Sequence, residues 1–190
     1  MRIVAGSLGG RVLRAPPGSD TRPTSEKVRE AVFNILGPPG DGALVLDLFA
    51  GSGALGLEAL SRGAARAVFV EKARPTLATL RRNLSDLGAA DRAEVVVGDA
   101  LSYLARRPAQ PFAWVFIDPP YRTDLARRAL DALGGDAAAL LAEDASIVVE
   151  HDRRNVPADA HGSLLRTDLR RYGDTEVSFY RVRPPGEPAA

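Results

Sequence analysis

Apolar residues follow two alternating patterns along this chain. Short apolar runs at 44–48, 67–71, 94–98, 113–118 and 145–150 read as strands. Between them, at 54–62, 75–87, 100–106, 123–133 and 136–142, the spacing predicts helices. Pro75 suits the first turn of the second of these helices. Repeated βα units of this kind predict a parallel sheet with helices on both faces. The end of the chain differs. Residues 164–172 and 175–182 read as two strands joined at Gly173-Asp174, an antiparallel hairpin. The start also stands apart. Arg2 to Ala5 and Arg11 to Ala15 flank Gly6-Ser7-Leu8-Gly9-Gly10 as a small hairpin, closed by Pro16-Pro17-Gly18. Thr24 is the expected N-cap of a helix over 25–36, in which Val28, Ala31, Val32, Ile35 and Leu36 form one apolar face. Gly37-Pro38-Pro39-Gly40 stops that helix. The expected organisation is an N-terminal hairpin-and-helix extension at 1–40, a main α/β domain at 41–183 and a loose tail at 184–190.

Composition narrows the classes. A length of 190 residues suits one domain with a small appendage. The chain has no cysteine, which excludes disulfides, thiolate metal sites and cysteine nucleophiles. No apolar window is long enough to span a membrane, and no signal peptide is apparent at the start, so a cytoplasmic protein is expected. The net charge of +1 carries no strong nucleic-acid signal. Its distribution carries a weak one: residues 1–36 hold six basic side chains against three acidic ones. Five of those six are arginine, which suits bidentate phosphate contact. His151 and His161 read as loop residues with no ligand partners nearby, so no metal site is expected.

The candidate chemistry begins at Ala43 to Gly56. A buried strand carrying Asp47 runs straight into Gly51-Ser52-Gly53-Ala54-Leu55-Gly56 and then a helix. This is the strand, glycine turn and helix with which α/β proteins bind nucleotides. A turn that needs glycine only for packing is the simpler alternative for a lone match; here strand, helix and the following acid, Glu71, are all present. Asp47 selects among ligands. A pyrophosphate has no use for a nearby anion, whereas S-adenosylmethionine carries an ammonium group and no phosphate. Glu71 can then bridge the ribose hydroxyls, and Asp99, in Gly98-Asp99-Ala100, can accept from the adenine amino group. Asp99 could equally be an ordinary helix cap. Asp118-Pro119-Pro120-Tyr121, at the end of the strand over 113–118, combines a carboxylate, a stiff turn with free carbonyls and a stacking ring. A proline turn that merely caps the strand is its simpler alternative.

These motifs resemble those of class I S-adenosylmethionine-dependent methyltransferases, and Asp-Pro-Pro-Tyr is similar to the signature of those acting on exocyclic amino groups of nucleobases. Arg22-Pro23-Thr24, Val28-Arg29-Glu30, Phe33-Asn34, the run Asp47 to Ala64 and Tyr172-Gly173-Asp174-Thr175 resemble the RsmD family, bacterial methyltransferases of guanine N2 in 16S ribosomal RNA. The resemblance covers nearly the whole chain. It implies a Rossmann-like α/β fold with a mostly parallel seven-stranded sheet and a C-terminal antiparallel hairpin. It implies S-adenosylmethionine as cofactor and 16S RNA or the small ribosomal subunit as partner, with no metal, no membrane and a monomer as the simplest state. The cofactor-binding set is Asp47, Phe49, Ala50, Gly51, Ser52, Gly53, Glu71, Lys72, Asp99, Ala100 and Asp118. The catalytic set is Asp118, Pro119, Pro120 and Tyr121. Arg2, Arg11, Arg14, Arg22, Thr24 and Arg29 are the candidates for RNA contact.

Three other functions compete. An NAD-dependent oxidoreductase shares the glycine pattern but does not explain Asp47 or Asp-Pro-Pro-Tyr. A DNA amino methyltransferase shares Asp-Pro-Pro-Tyr but needs a target-recognition segment for which there is no room. A nonenzymatic RNA-binding module predicts tolerance of Asp118→Ala.

Overall fold

A computed structural model describes residues 1–16, 25–106, 111–120 and 123–183. After the first helix, α1 (Glu26–Leu36), strands and helices alternate: β1 (Leu44–Asp47), α2 (Ala54–Ser61), β2 (Arg66–Glu71), α3 (Arg74–Asp86), β3 (Ala93–Val97), α4 (Ala100–Leu104), β4 (Phe112–Ile117), α5 (Leu125–Gly134) and β5 (Leu141–Asp152). β6 (Ala160–His161), β7 (Leu164–Tyr172) and β8 (Thr175–Val182) follow without helices. All eight strands form one sheet in the order β3-β2-β1-β4-β5-β8-β7-β6. The first five in that order run parallel, and β8, β7 and β6 pair antiparallel. The strand count exceeds the expected seven by β6, a two-residue edge strand.

The alternation of side chains along each strand splits the core in two. Val45, Phe69, Trp114 and Phe116 pack with α1, α2 and α3 on one face. Leu46, Val68, Val70, Val115 and Ile117 pack with α4 and α5 on the other. On the first face Phe33 of α1 stands edge-on to Trp114, with ring centres 5.9 Å apart. The Arg62 guanidinium lies over the Phe33 ring at 5.1 Å.

The N-terminal extension shares this core. Its two arms meet at a bridge between Arg2 and Val12, and Ile3 and Leu13 are buried with α1 and α2. α2 supplies the polar fastening. Glu58, fully buried, accepts from Val4 N at 2.7 Å, Ala5 N at 3.0 Å and Arg62 Nε at 2.9 Å. The Ser61 carbonyl accepts from Ser7 N at 2.8 Å, and Ser61 Oγ accepts from Leu8 N at 2.9 Å. The glycine-proline linker at 37–40 is thus a change of layer around one core.

Four sequence expectations are corrected. The cap of α1 is Ser25, whose side chain accepts from Val28 N; Thr24 lies outside the described residues. The alanine-rich piece at 136–142 is not an α-helix. Only Ala138–Leu140 turns, as a 3₁₀ segment, and β5 begins at Leu141. The register with β4 jumps from Phe112↔Leu141 to Trp114↔Ser146, so a bulge absorbs the extra residues and brings Ile147 and Val149 into the core. His151 and His161 sit in β5 and β6, not in loops, and both are buried. Each is held by a polar neighbour: His151 Nε2 lies 2.8 Å from Ser178 Oγ, and His161 Nδ1 lies 2.6 Å from Asp131 Oδ1.

α2 follows the glycine turn because two glycines meet different demands. Gly53 has φ of 86°, a left-handed conformation that other residues resist. Gly56 lies on the helix face that meets β2, where a Cβ would sit 2.7 Å from Phe69 Cζ and nearer still to Cε1. Gly56→Ala is expected to destabilise the protein by about 1–3 kcal/mol through overpacking, read as a lower urea midpoint with an unchanged slope.

Candidate active site

The parallel strands β3, β2, β1 and β4 are neighbours, so their C-terminal ends share one edge of the sheet. Strand order reverses between β1 and β4, the position at which open α/β sheets bind ligands. Register fixes which acids stand level. Asp47 pairs with Phe69 and with Phe116, so Glu71 and Asp118 each lie two residues farther along their strands. Glu71 pairs with Val97, which puts Asp99 two residues beyond it again. Adjacent strands are about 4.8 Å apart, so the ends of β3 and β4 bracket roughly 14 Å of this edge.

The turn between β1 and α2 is held from three sides. Past β1 the chain keeps bonding to both neighbouring strands, Leu48 N to Phe116 O and Ala50 N to Val70 O, each at 3.0 Å. Gly51 N donates to Glu71 Oε2 at 3.0 Å, and Gly56 N donates to Asp47 Oδ2 at 3.0 Å. The Ser52 carbonyl accepts from Asn83 Nδ2 at 2.9 Å. Phe49 is partly exposed and Ala50 is buried beneath the turn.

The acids differ in their work. Glu71, partly exposed, also accepts from Lys72 N at 2.8 Å and Ala73 N at 2.7 Å through Oε1. A carboxylate has about four acceptor positions, so these three bonds leave capacity for a ribose hydroxyl. Lys72, next to it, is exposed. Asp99 caps α4, its Oδ1 accepting from Leu101 N and Ser102 N at 3.1 Å each, with Ala100 buried in the first turn. Asp47 is only 2% exposed, and its Oδ2 is bonded to the helix start. Burial pushes its carboxyl up to about 7; the Gly56 N–H opposes the rise and the Glu71 charge adds to it.

On the acceptor side, Asp118 follows β4 directly and is half-buried, Pro119 is buried and Pro120 is exposed. The Pro120 carbonyl accepts from Thr123 Oγ1 at 2.8 Å. Asn155, after β5, donates to the Thr123 carbonyl at 3.2 Å. Thr123, Asp124, Asp152, Arg154 and Asn155 line a groove of about 380 Å³ between the loops that follow β4 and β5. Tyr121 lies outside the described residues.

The RNA-contact candidates separate. Arg2, Arg11 and Arg14 are exposed on the hairpin. Each also bonds internally: Arg2 Nη1 to Gly10 O at 3.0 Å, Arg11 Nη2 to Asp86 O at 2.7 Å and Arg14 Nε to Asp86 Oδ2 at 2.9 Å. Arg14 and Arg82 hold the Asp86 carboxyl below its ordinary range. Arg29 is a correction. It is fully buried, with Nε 3.9 Å from Glu58 Oε2 and Nη2 donating to the Arg2 carbonyl, so it braces the extension and reaches no RNA. Burial lowers its pKa and the Glu58 charge opposes that fall. Arg22 and Thr24 lie outside the described residues. Among the described residues, no cluster of histidine and acid side chains could hold a metal ion, and no helix is long and apolar enough to cross a membrane.

Three residues escaped the sequence reading: Glu58, Ser61 and Asn83. Each is a polar residue on a helix stripe that is otherwise apolar, Glu58 and Ser61 among the leucines of α2 and Asn83 between Leu80 and Leu84. A polar residue in an apolar stripe must find a buried partner, and that was the available signal.

Comparison with known proteins places this geometry. A family model described as Conserved hypothetical protein 95 matches residues 1–181. The ribosomal RNA small subunit methyltransferase D of Escherichia coli (strain K12) is 43% identical over 191 residues, covering 98% of this chain and 92% of the relative. YlbH of Bacillus subtilis (strain 168) is 41% identical over 185 residues, covering 96% of this chain and 100% of the relative. The solved structure of yhhF from Escherichia coli shares the fold with a TM-score of 0.82 at 37% identity, covering 96% of this chain and 98% of that one.

The Asp47 carboxyl makes stability depend on pH. Below about pH 4 it is protonated in both the folded and the unfolded chain. Between there and about 7 the unfolded chain gives up the proton and the folded chain keeps it, so stability falls as pH rises. Asp47→Asn keeps an oxygen for Gly56 N and removes the titration. The variant is expected to flatten the decline and to be more stable than wild type at pH 8 by on the order of 2 kcal/mol, read by urea unfolding at pH 5 and pH 8.

Proposed function

The chain belongs to the Conserved hypothetical protein 95 family, and from that membership we propose that it methylates the exocyclic N2 of one guanine in 16S ribosomal RNA, acting on the assembled small subunit. The broader class is ribosomal RNA methylation dependent on S-adenosylmethionine. The observation that carries the finer reading is the placement of Asp118-Pro119-Pro120 at the end of β4, one strand from the glycine turn.

The residues present fit the cofactor. The glycine turn, the partly exposed Glu71 and the capping Asp99 stand at three adjacent strand ends. Glu71 would take the ribose, the turn would pass beneath the amino-acid portion, and residues 98–100 would border the adenine. Asp47 acts from behind the turn by fixing the start of α2. The cofactor supplies an electrophilic methyl group on a sulfonium.

Guanine N2 is a poor nucleophile because its lone pair is delocalised into the ring. The Asp118 carboxylate and the Pro119 carbonyl can accept its two N–H bonds and favour a more tetrahedral nitrogen. With the cofactor held at the neighbouring strand ends, the amine so oriented would face the methyl group that the cofactor supplies, and the Asp118 carboxylate would take the proton lost from nitrogen and pass it to water. Positioning supplies much of the rate. The target base must leave its stack to reach this edge, and the groove beside Thr123 and Asn155 is the open approach. Tyr121 is the proposed stacking ring. The exposed arginines of the hairpin, Arg2, Arg11 and Arg14, are the proposed phosphate contacts.

The decisive assay combines labelled S-adenosylmethionine, purified protein and small subunits from cells lacking this gene, followed by nucleoside analysis. Label in N2-methylguanosine of 16S RNA is expected; label in another nucleoside overturns the N2 reading, and label only with protein-free RNA overturns the assembled subunit as substrate. Asp118→Ala is expected to lower turnover at least about 100-fold at saturating cofactor, the scale on which misplacing a reacting group costs rate. Arg11→Ala with Arg14→Ala is expected to weaken subunit binding and to reduce the slope of log affinity against log salt by about two, one for each phosphate no longer neutralised.

A further inference from the structure

Asn83 lies on the inner face of α3 and is 1% exposed. Its carboxamide makes three hydrogen bonds to two segments far apart in the chain. Oδ1 accepts from Arg14 N at 2.9 Å, while Nδ2 donates to Arg14 O at 3.1 Å and to Ser52 O at 2.9 Å. Both N–H donors of the amide are therefore used. Toward Arg14 the side chain pairs as a neighbouring strand would, engaging both the N–H and the C=O of one residue. Toward Ser52 it holds the central carbonyl of the glycine turn. One rigid planar group thus lies between the basic arm of the hairpin and the turn beneath the cofactor.

The last turn of α3 reinforces this link. Asp86, three residues on, takes Arg14 through its carboxylate and Arg11 through its carbonyl. Leu80, three residues back, lies against the turn, where a Cβ on Gly53 would come within 2.5 Å of Leu80 Cδ1. α3 therefore holds the arm at one end of a stripe and the glycine turn along it.

We infer that Asn83 is a positioning residue for both substrates, and that through it the binding of RNA by the hairpin arm and the binding of cofactor by the glycine turn strengthen each other. The inference rests on the proposed role of the arm in RNA contact. A ligand that grips Arg11 and Arg14 fixes the arm backbone at residue 14. The carboxamide then holds Ser52 O in place and presents the turn to the cofactor already set. By linkage the cofactor must tighten RNA binding by the same factor. No other side chain of similar size serves. Aspartate would face two carbonyls with an oxygen, and leucine would leave three backbone groups without partners.

The test measures dissociation constants of S-adenosylhomocysteine for the full chain, alone and with saturating small subunits that lack the modification, and of the subunits with and without S-adenosylhomocysteine. Wild type is expected to show reciprocal tightening of at least about fivefold, the lower range of such couplings. Asn83→Ala is expected to weaken both ligands by about tenfold each, the loss that follows from stranding buried polar groups, and to reduce the coupling factor to near one. Turnover at saturation of both substrates should stay within a few-fold of wild type, so the defect lies in KM for both. Leu84→Ala, a cavity variant at the next position, controls for reduced stability and should retain the coupling at an equal shift in Tm. Asn83→Asp keeps the size and the Oδ1 acceptor while losing both N–H donors; it should repeat the alanine pattern and serves if alanine does not fold. The inference is overturned if either Asn83 variant weakens only one ligand, if it merely matches Leu84→Ala, or if wild type binds the two ligands independently. Wild type that does not bind S-adenosylhomocysteine at all overturns the functional reading instead.

Discussion

A turn that leads from a buried strand into a helix cannot satisfy its own backbone. The first N–H groups of α2 have no partner within the helix, and a glycine turn has no side chains of its own to supply one. The chain meets this need from outside. Asp47 takes the Gly56 N–H, Glu71 takes the Gly51 N–H, and Asn83 holds the Ser52 carbonyl. These three come from β1, β2 and α3, so the turn is braced from three separate elements. The absence of a side chain at Gly51 keeps the backbone reachable there, and at Gly53 it leaves room for Leu80 beneath the turn. The bracing keeps that same backbone in one shape. A binding edge at the strand ends depends on both.

Burial of acids is the cost of this arrangement, and the chain handles it in two ways. Glu58 is surrounded by donors: two backbone N–H groups of the hairpin and the Arg62 guanidinium, with Arg29 close behind. Its charge is compensated, and the same bonds bind the extension to α2. Asp47 receives the Gly56 N–H and faces the Glu71 charge, so burial dominates and pushes its carboxyl up to about 7. A buried carboxyl close to another anion keeps its proton in preference to an uncompensated charge. One acid therefore fastens the architecture by charge, and the other shapes the turn at a pH-dependent cost. Removing a donor from Glu58 strands a charge, whereas neutralising Asp47 relieves one.

Much of the fold was legible because periodicity reports burial directly. Strands at 44–48 and 67–71, helices at 54–62 and 75–87, and the C-terminal hairpin at 164–182 were each predicted to within a residue or so. Apart from the cap of α1, a local miss by one residue, the failures share a cause: they depended on partners remote in sequence. Residues 136–142 carry strong helix formers, but pairing with β4 drew Leu141 into a strand, since tertiary context overrides propensity. His151 and His161 looked like loop residues until β8 and α5 supplied Ser178 and Asp131. Arg29 looked like a surface cation beside Glu30, because nothing local reveals that Glu58 waits across the core. At the site, the types of residue and their places at the strand ends were legible. Which of them face a ligand and which brace the turn was not. Asp47 and Asp99 each also hold a helix start through one carboxylate oxygen.

The edge is therefore unequal along its length, and the inequality suits a two-substrate reaction. From β3 to β1 the strand ends are cross-braced by carboxylates and by Asn83, so a small cofactor meets a preformed surface and little ordering is required on binding. Beyond β4, among the described residues, Thr123 bonds to Pro120 within one loop and Asn155 bonds across to Thr123 from the next, and these residues flank an open groove. A base presented by a large folded RNA would meet this groove rather than the braced turn. The two halves meet at Asp118, which directly follows β4, the strand bonded to β1 on one side and to β5 on the other. The carboxylate proposed to orient the incoming amine thus follows a strand in the centre of the sheet, at the boundary between the braced edge and the open groove.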